Sequence, residues 1–226
     1  MQKHTCVLCF AGAKQCFGVP TTHKLPLTRE NLLTVCNAYQ TNPSHNDLLF
    51  MVQLLTGTKC LMCLGELTWL DKIASCDYLK VSMCHTVSFH TDALSFWLPG
   101  HKTDQFFEGN RLILHKSLSP DAYSHFASYH SSRDRLFCTH PELWLHADRT
   151  IPTRSWFINC LRHFFPNSIA GQSIRASEAT ALTEAGVAPN LIQAVRHWTS
   201  ETFNRYVCKN PFLFKALLIR CSLLHL

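Results

Sequence analysis

Two C-x-x-C pairs have residue types and spacing that could do chemistry: Cys6 with Cys9, and Cys60 with Cys63. Four thiolates can hold a structural zinc ion in tetrahedral geometry. However, the pairs are 51 positions apart, counted from Cys9 to Cys60. The residues inside both pairs are also apolar, whereas zinc-binding pairs usually lie in polar turns. We therefore predict that these cysteines pack in an apolar core and that the chain has no metal site. Zinc binding is the minor alternative.

A nucleophilic cysteine activated by a histidine is a second arrangement to consider. The chain contains 12 Cys and 14 His, so pairs of these residues arise often by chance. Their presence does not indicate a cysteine-dependent enzyme.

The C-terminal part of the chain carries a more informative ordered set of residues: Gln172, Arg175, His197, Trp198 and Tyr206. Arg175 precedes Trp198 by 23 positions, and Trp198 precedes Tyr206 by 8. This block resembles the catalytic domain of tyrosine recombinases (phage integrases), and is closest to the versions carried by Crypton-type mobile elements. In that family a His-x-x-Arg motif opens a helix, a His or Trp follows about two helices later, and the nucleophilic Tyr lies just beyond.

The upstream half agrees with this resemblance. The segment from Cys63 to Leu67 is similar to the first box of the family, Arg-x-x-Glu-Leu, with Glu66 and Leu67 in register. Lys102 falls between two predicted strands, where the family keeps a catalytic Lys in a β-hairpin. The resemblance covers about residues 25–211, and the joint order of four boxes is specific.

The resemblance implies cleavage and rejoining of DNA strands through a 3′-phosphotyrosine intermediate, without a cofactor. It assigns the following candidate roles: Tyr206 as nucleophile, Arg175 as phosphate clamp, Lys102 as general acid, Trp198 as hydrogen-bond donor and Glu66 as support for the first box. Attack on a phosphodiester builds negative charge on the non-bridging oxygens, which a planar guanidinium can bind in a bidentate manner. A tyrosine, with an ordinary pKa of about 10, needs such a positive environment to act as a nucleophile.

The sequence also departs from the family pattern. Cys63 stands where the first-box arginine is expected, and the loss of one oxyanion donor typically costs about 10²–10³ in rate. Gln172 replaces the histidine of His-x-x-Arg, so it can donate a hydrogen bond but cannot shuttle a proton. Ser177 and Glu178 replace two glycines, which adds a negative charge. His197 stands at an expected arginine position and is kept as a further candidate catalytic residue. We expect a partly degenerate and impaired copy.

Arginine loss extends beyond the first box. Cys84 and Cys208 also occupy positions where the family pattern would have arginine, as does His197. We interpret these replacements as damage in a decaying mobile-element copy.

Two hypotheses of different classes follow. The chain is either an impaired recombinase or a catalytically dead module that keeps the fold for DNA binding or interaction, and Cys63 is the residue that separates them. DNA is the expected partner, and active relatives assemble as tetramers on it. We expect neither a membrane nor a small-molecule substrate.

The composition of the chain is compatible with both hypotheses. The chain has 226 residues, of which 46% are hydrophobic and 16% charged, with a formal net charge of +6. These values are typical of a folded globular protein and exclude disordered, collagenous and coiled-coil classes. The positive charge suits a polyanionic partner. Cysteines inside apolar segments indicate thiols in a nuclear or otherwise intracellular protein that is not secreted.

The elements that must position these residues form an α+β fold, mainly helical, with a small antiparallel sheet. We assign residues 1–24 to the remnant or linker of a missing N-terminal core-binding domain and residues 25–226 to the catalytic domain. Thr28 is predicted to cap the first helix. The other predicted helices cover 47–56, 58–68, 121–132, 152–165, 173–185, 189–196 and 200–207. Strands are predicted within 78–90, 94–98 and 105–115.

Overall fold

A computed structural model of the chain describes residues 24–100, 109–117 and 120–187. Six α-helices lie in these ranges: α1 (Arg29–Ala38), α2 (His45–Lys59), α3 (Leu64–Leu67), α4 (Ala122–Phe137), α5 (Arg154–Arg162) and α6 (Gly171–Glu184). Within the described residues, no helix combines the length and apolar character needed to span a bilayer. The helices predicted at 189–196 and 200–207 lie outside the described residues.

Helix α1 begins where the sequence predicts. The Thr28 side chain accepts a hydrogen bond from the Asn31 amide, and the Asn31 side chain accepts one from the Thr28 amide, which forms a capping box. Ser44 and Asp47 form the same arrangement at the start of α2. These reciprocal bonds satisfy backbone donors that have no partner inside the helix.

The predicted helix at 58–68 is wrong. Helix α2 continues to Lys59, and the chain then turns through Leu61, which adopts a positive φ of 53°. The Met62 amide donates to the Gly57 carbonyl across this turn, at 2.7 Å. Only Leu64–Leu67 is helical after it. The apolar residues before and after the turn at Leu61 are buried in the core. The helix-like apolar pattern in the sequence therefore continues through the turn although the helix does not.

The sheet has three antiparallel strands in the order β1 (Ser88–Phe89), β2 (Ala93–Leu98) and β3 (Asn110–His115). In β2 and β3, Ala93 lies opposite His115 and Leu98 opposite Asn110. The two strands therefore form a hairpin.

The strand predicted over 78–90 is wrong apart from β1. The segment contains two short 3₁₀ turns instead, Tyr78–Lys80 and Cys84–Thr86. The Asp77 side chain accepts a hydrogen bond from the Leu79 amide, and this local bond competes with strand pairing. The segment instead makes isolated backbone bonds to a loop, such as that from the Cys84 amide to Pro141.

Helix α2 forms the centre of the core. Every residue from Leu49 to Thr58 is buried, so the helix is covered on all sides, and it packs against both α4 and α6. The buried polar side chains in it need internal partners. Gln53 donates from Nε2 to the Leu67 carbonyl at 2.6 Å, and Thr58 donates to the Leu54 carbonyl at 2.8 Å.

Gly57 allows α3 and α6 to approach the C-terminal part of α2. A Cβ atom at this position would lie 2.7 Å from Cδ1 of Leu67 and 2.9 Å from Cγ2 of Ile174. Both distances are shorter than carbon–carbon van der Waals contact. The absence of a side chain at Gly57 therefore sets the spacing of the three helices.

We predict that Gly57→Ala lowers the free energy of unfolding by about 1–3 kcal/mol, because overpacking outweighs the higher helix propensity of alanine. Urea denaturation followed by circular dichroism would measure the change. Gly65→Ala is the matched control, since a Cβ at Gly65 meets nothing within 4 Å. Equal stabilities of the two variants would contradict the close approach at Gly57.

Candidate active site

The first-box residues lie at the start of α3. Cys63 is the N-cap residue of this helix, and its amide donates to Oε2 of Glu66 at 2.7 Å. The Glu66 carboxylate thus satisfies a backbone donor at the helix start, where a negative charge is favourable. This bond fixes where Cys63 presents its side chain.

The residues that resemble the His-x-x-Arg motif, which we call the second box, lie on α6. Gln172, Arg175 and Glu178 follow one another at three-residue intervals, which places them along one side of the helix. Gln172 is exposed, whereas Arg175 and Glu178 are half-buried. The start of α6 packs closely on α3, because a Cβ at Gly171 would lie 2.6 Å from Cδ2 of Leu64.

The two boxes meet at Cys63 and Arg175, which are 112 positions apart in the sequence. Arg175 donates from Nη1 to Sγ of Cys63 at 2.7 Å. The fold therefore brings together the first-box position and the second-box arginine, with Glu66 bonded to the backbone of the same cysteine. We call Cys63, Glu66 and Arg175 the box cluster.

Lys59, the last residue of α2, and Glu178 on α6 form an ion pair. Nζ of Lys59 lies 3.4 Å from Oε2 of Glu178, and both side chains are partly buried. The sequence shows Glu178 as an added negative charge but does not indicate its partner. Lys59 offsets that charge locally, so Glu178 disturbs the electrostatics of the site less than its charge alone would suggest. Lys59 belongs to none of the motifs found in the sequence, so the sequence gives little indication of this ion pair.

Ser177 has a structural partner that the sequence did not reveal. Its Oγ accepts a hydrogen bond from the Leu27 amide at 2.7 Å and donates to the Ser173 carbonyl at 2.5 Å. Ser177 is only 4% exposed. The hydroxyl therefore ties the segment that precedes α1 to the middle of α6, a contact that a glycine could not make.

Four predicted site residues lie outside the described residues: Lys102, His197, Trp198 and Tyr206. The described strands β2 and β3 flank the segment that contains Lys102. The roles assigned to these four residues therefore stay predictions.

The C-x-x-C pair at Cys60 and Cys63 does not act as one unit. Cys60 belongs to the buried core, with its thiol 4.0 Å from the Ile113 carbonyl oxygen. Cys63 instead contacts Arg175. Two thiols with such different surroundings do not favour a shared zinc ion, and Cys6 and Cys9 lie outside the described residues.

No protein-family model matches the sequence, and no curated protein matches it. Solved structures do match the fold. The XerH site-specific recombinase bound to palindromic difH substrate, in a post-cleavage complex, aligns with a TM-score of 0.58 at 14% identity, over 90% of this chain and 54% of that one. The Tn1549 transposon integrase in complex with transposon right end DNA aligns with a TM-score of 0.54 at 13% identity, over 93% of this chain and 70% of that one.

These similarities confirm the predicted fold class. The chain has the α+β fold of a tyrosine recombinase catalytic domain, rich in helices and with a small three-stranded antiparallel sheet. It spans about half of the length of the XerH chains that it matches.

We predict that Ser177→Ala lowers the free energy of unfolding by about 1–3 kcal/mol, because it leaves the buried Leu27 amide without its acceptor. Urea denaturation would measure the change. Ser128→Ala is the control, since the exposed Ser128 hydroxyl donates only to the Ser124 carbonyl of its own helix. We expect a change of less than about 0.5 kcal/mol there. A loss in the control as large as that in Ser177→Ala would rule out the tie to α6.

Proposed function

We propose that this chain binds DNA at the box cluster and derives from an enzyme that cleaves and rejoins DNA strands through a phosphotyrosine intermediate. The observation that carries the proposal is the contact between Cys63 and Arg175. Two sequence boxes selected for their resemblance to a catalytic pattern come together in space, in a domain with the matching fold. The solved structures of that fold described above are complexes with DNA or with a recombination substrate.

Arg175 supplies the chemistry that a phosphate requires. Its positively charged guanidinium presents several N–H donors in one plane. One of them, Nη1, donates to the Cys63 thiol. A thiol is a weak acceptor, so a phosphate oxygen would replace it with a stronger, charge-assisted bond. In this proposal, the thiol holds Arg175 in place until DNA binds.

The same contact explains why catalysis would be impaired. A neutral thiol at position 63 supplies neither the second positive charge nor the two parallel donors of an arginine clamp. As a thiolate it would repel the phosphate. Electrostatic stabilisation of this kind is usually the largest single contribution to catalysis. Lys59 adds a positive charge nearby, but it is paired with Glu178.

The second candidate function is a DNA-binding module without strand cleavage, and the observation that favours it is again Cys63. Binding needs positive charge near the phosphates, which Arg175 provides, whereas cleavage needs a complete clamp and Tyr206. Self-association on DNA, as in active relatives, belongs to the proposal for either function.

We predict that the native chain gives little or no covalent adduct with a nicked suicide DNA substrate and that Cys63→Arg restores one, because it supplies the missing clamp. Denaturing gel electrophoresis would detect the adduct. Cys63→Gln is the matched control, since it adds a long polar side chain without charge and should restore nothing. Adding Tyr206→Phe to Cys63→Arg should abolish the adduct. If Cys63→Arg forms no adduct although it binds DNA, the enzymatic origin is not supported and the binding module remains.

We predict that Arg175→Gln weakens DNA binding by about tenfold or more, the loss expected when a charge-assisted hydrogen bond is removed. It should also reduce the slope of the logarithm of the binding constant against the logarithm of the salt concentration by about one, because one fewer counterion is released from the DNA. Fluorescence anisotropy with duplex DNA at several salt concentrations would measure both. Arg135→Gln removes the same charge from an exposed position on α4 and should have a smaller effect. If both variants bind alike, only net charge matters and the box cluster is not a binding site.

A further inference from the structure

Cys84, His130 and Asp134 form a cluster away from the boxes that the proposed function does not use. Cys84 opens the 3₁₀ turn before β1, and His130 and Asp134 lie one helical turn apart on α4. One potential ligand atom from each residue lies within 4.8 Å of the other two. Among the described residues, these three are the His, Cys, Asp or Glu side chains that lie close enough together to share a metal ion.

The distances fit a tetrahedral metal. Sγ of Cys84 lies 3.5 Å from Nε2 of His130 and 3.7 Å from Oδ1 of Asp134. Zinc bonds of about 2.3 Å to sulfur and about 2.0 Å to nitrogen or oxygen, at tetrahedral angles, separate such ligand atoms by about 3.5 Å. The thiol therefore already lies at about the separation from each of the other two ligand atoms that a shared zinc ion needs.

The orientation of the imidazole also suits a metal. Nδ1 of His130 lies 3.2 Å from Oδ2 of Asp134, which favours the tautomer with the proton on Nδ1. Nε2, the atom that faces Cys84, is then left with its lone pair available. The ring is held by edge contact with Phe89, at 5.2 Å between centroids, and by stacking on Phe126.

The elements around the cluster are held in place. Arg133, only 1% exposed, donates to Oδ1 of Asp134 at 2.7 Å and also to the carbonyls of His140 and Glu142. The Cys84 amide donates to the Pro141 carbonyl in the same loop. Because Arg133 holds both the carboxylate and the loop that anchors Cys84, the three ligands are positioned before any ion binds.

We propose that Cys84, His130 and Asp134 bind Zn²⁺ and thereby fasten the segment before β1 to α4. This proposal departs from the prediction from the sequence that the chain has no metal site. The mixed sulfur, nitrogen and oxygen donors suit zinc, whereas Mg²⁺ and Ca²⁺ take oxygen ligands. Three protein ligands leave a fourth coordination position, and the Asp134 side chain, 47% exposed, leaves a route to it from solvent.

The proposal predicts one zinc ion per chain that depends on this cluster. The full chain is freed of metal with a chelator, loaded with Zn²⁺ or Co²⁺, and analysed by elemental analysis and by the thiolate-to-cobalt charge-transfer band. Cys84→Ser should lose the band. Asp134 is half-exposed, and Asp134→Asn preserves the shape of its side chain. This variant should weaken metal binding by at least about 10–100-fold, because replacement of residues that only support a ligand already causes a loss of that size. Cys138→Ser, which removes an exposed cysteine after α4, is the control and should bind like the native chain.

Alkylation mapped by mass spectrometry identifies the cysteine involved. Zn²⁺ should protect Cys84 from iodoacetamide and leave the reactivity of Cys138 unchanged. Equal metal content in the native chain, Cys84→Ser and Asp134→Asn would overturn the proposal, as would zinc that is lost only when Cys60 or Cys63 is replaced. Fast alkylation of Cys84 that Zn²⁺ does not slow would indicate an activated nucleophile instead.

Discussion

The geometry of the candidate site depends on how closely three helices approach one another. Gly57 lets α2 contact Leu67 and Ile174, and Gly171 lets the start of α6 contact Leu64. At both positions a single methyl group would occupy space that a neighbouring side chain already fills. Since α3 has only four residues, its position is determined by these contacts and not by its own helical stability. The meeting of Cys63 with Arg175 is a consequence of this packing.

The electrostatics of the site differ from those of a two-arginine clamp. One guanidinium, Arg175, contacts a thiol, and the second positive charge nearby, on Lys59, is paired with a carboxylate. In the proposed function, such a site would surround a phosphate with less positive charge than two arginines would. Affinity for a polyanion and the ability to stabilise a pentavalent phosphate depend on charge in different ways. The first needs a net field, whereas the second needs donors directed at specific oxygens.

Much of the fold could be predicted from local patterns, because local interactions determine it. Thr28 caps α1 as its residue type suggests, and β2 and β3 lie at or within segments predicted as strands from their β-branched and aromatic residues. The segments at 58–68 and 78–90 could not be predicted, because their apolar residues are buried by tertiary contacts while the backbone turns. The contact between Cys63 and Arg175 could be expected only from the resemblance of the ordered motifs to the family pattern. Nothing in the sequence pointed to the bonds of Ser177 or to the grouping of Cys84 with α4, since these contacts join residues far apart in the chain.

The buried Arg133 has a consequence for which sequence changes this domain can tolerate. Its guanidinium depends on the backbone carbonyls of His140 and Glu142 as well as on Asp134. An insertion or deletion between α4 and Leu143 would move those carbonyls away from the Arg133 guanidinium. A buried charged group would then lack hydrogen-bond acceptors, which is costly. Backbone acceptors are offered by every residue type, so the side chains of this loop are free to vary. Selection here should act on the length of the loop, and related chains would differ in its composition while conserving its number of residues.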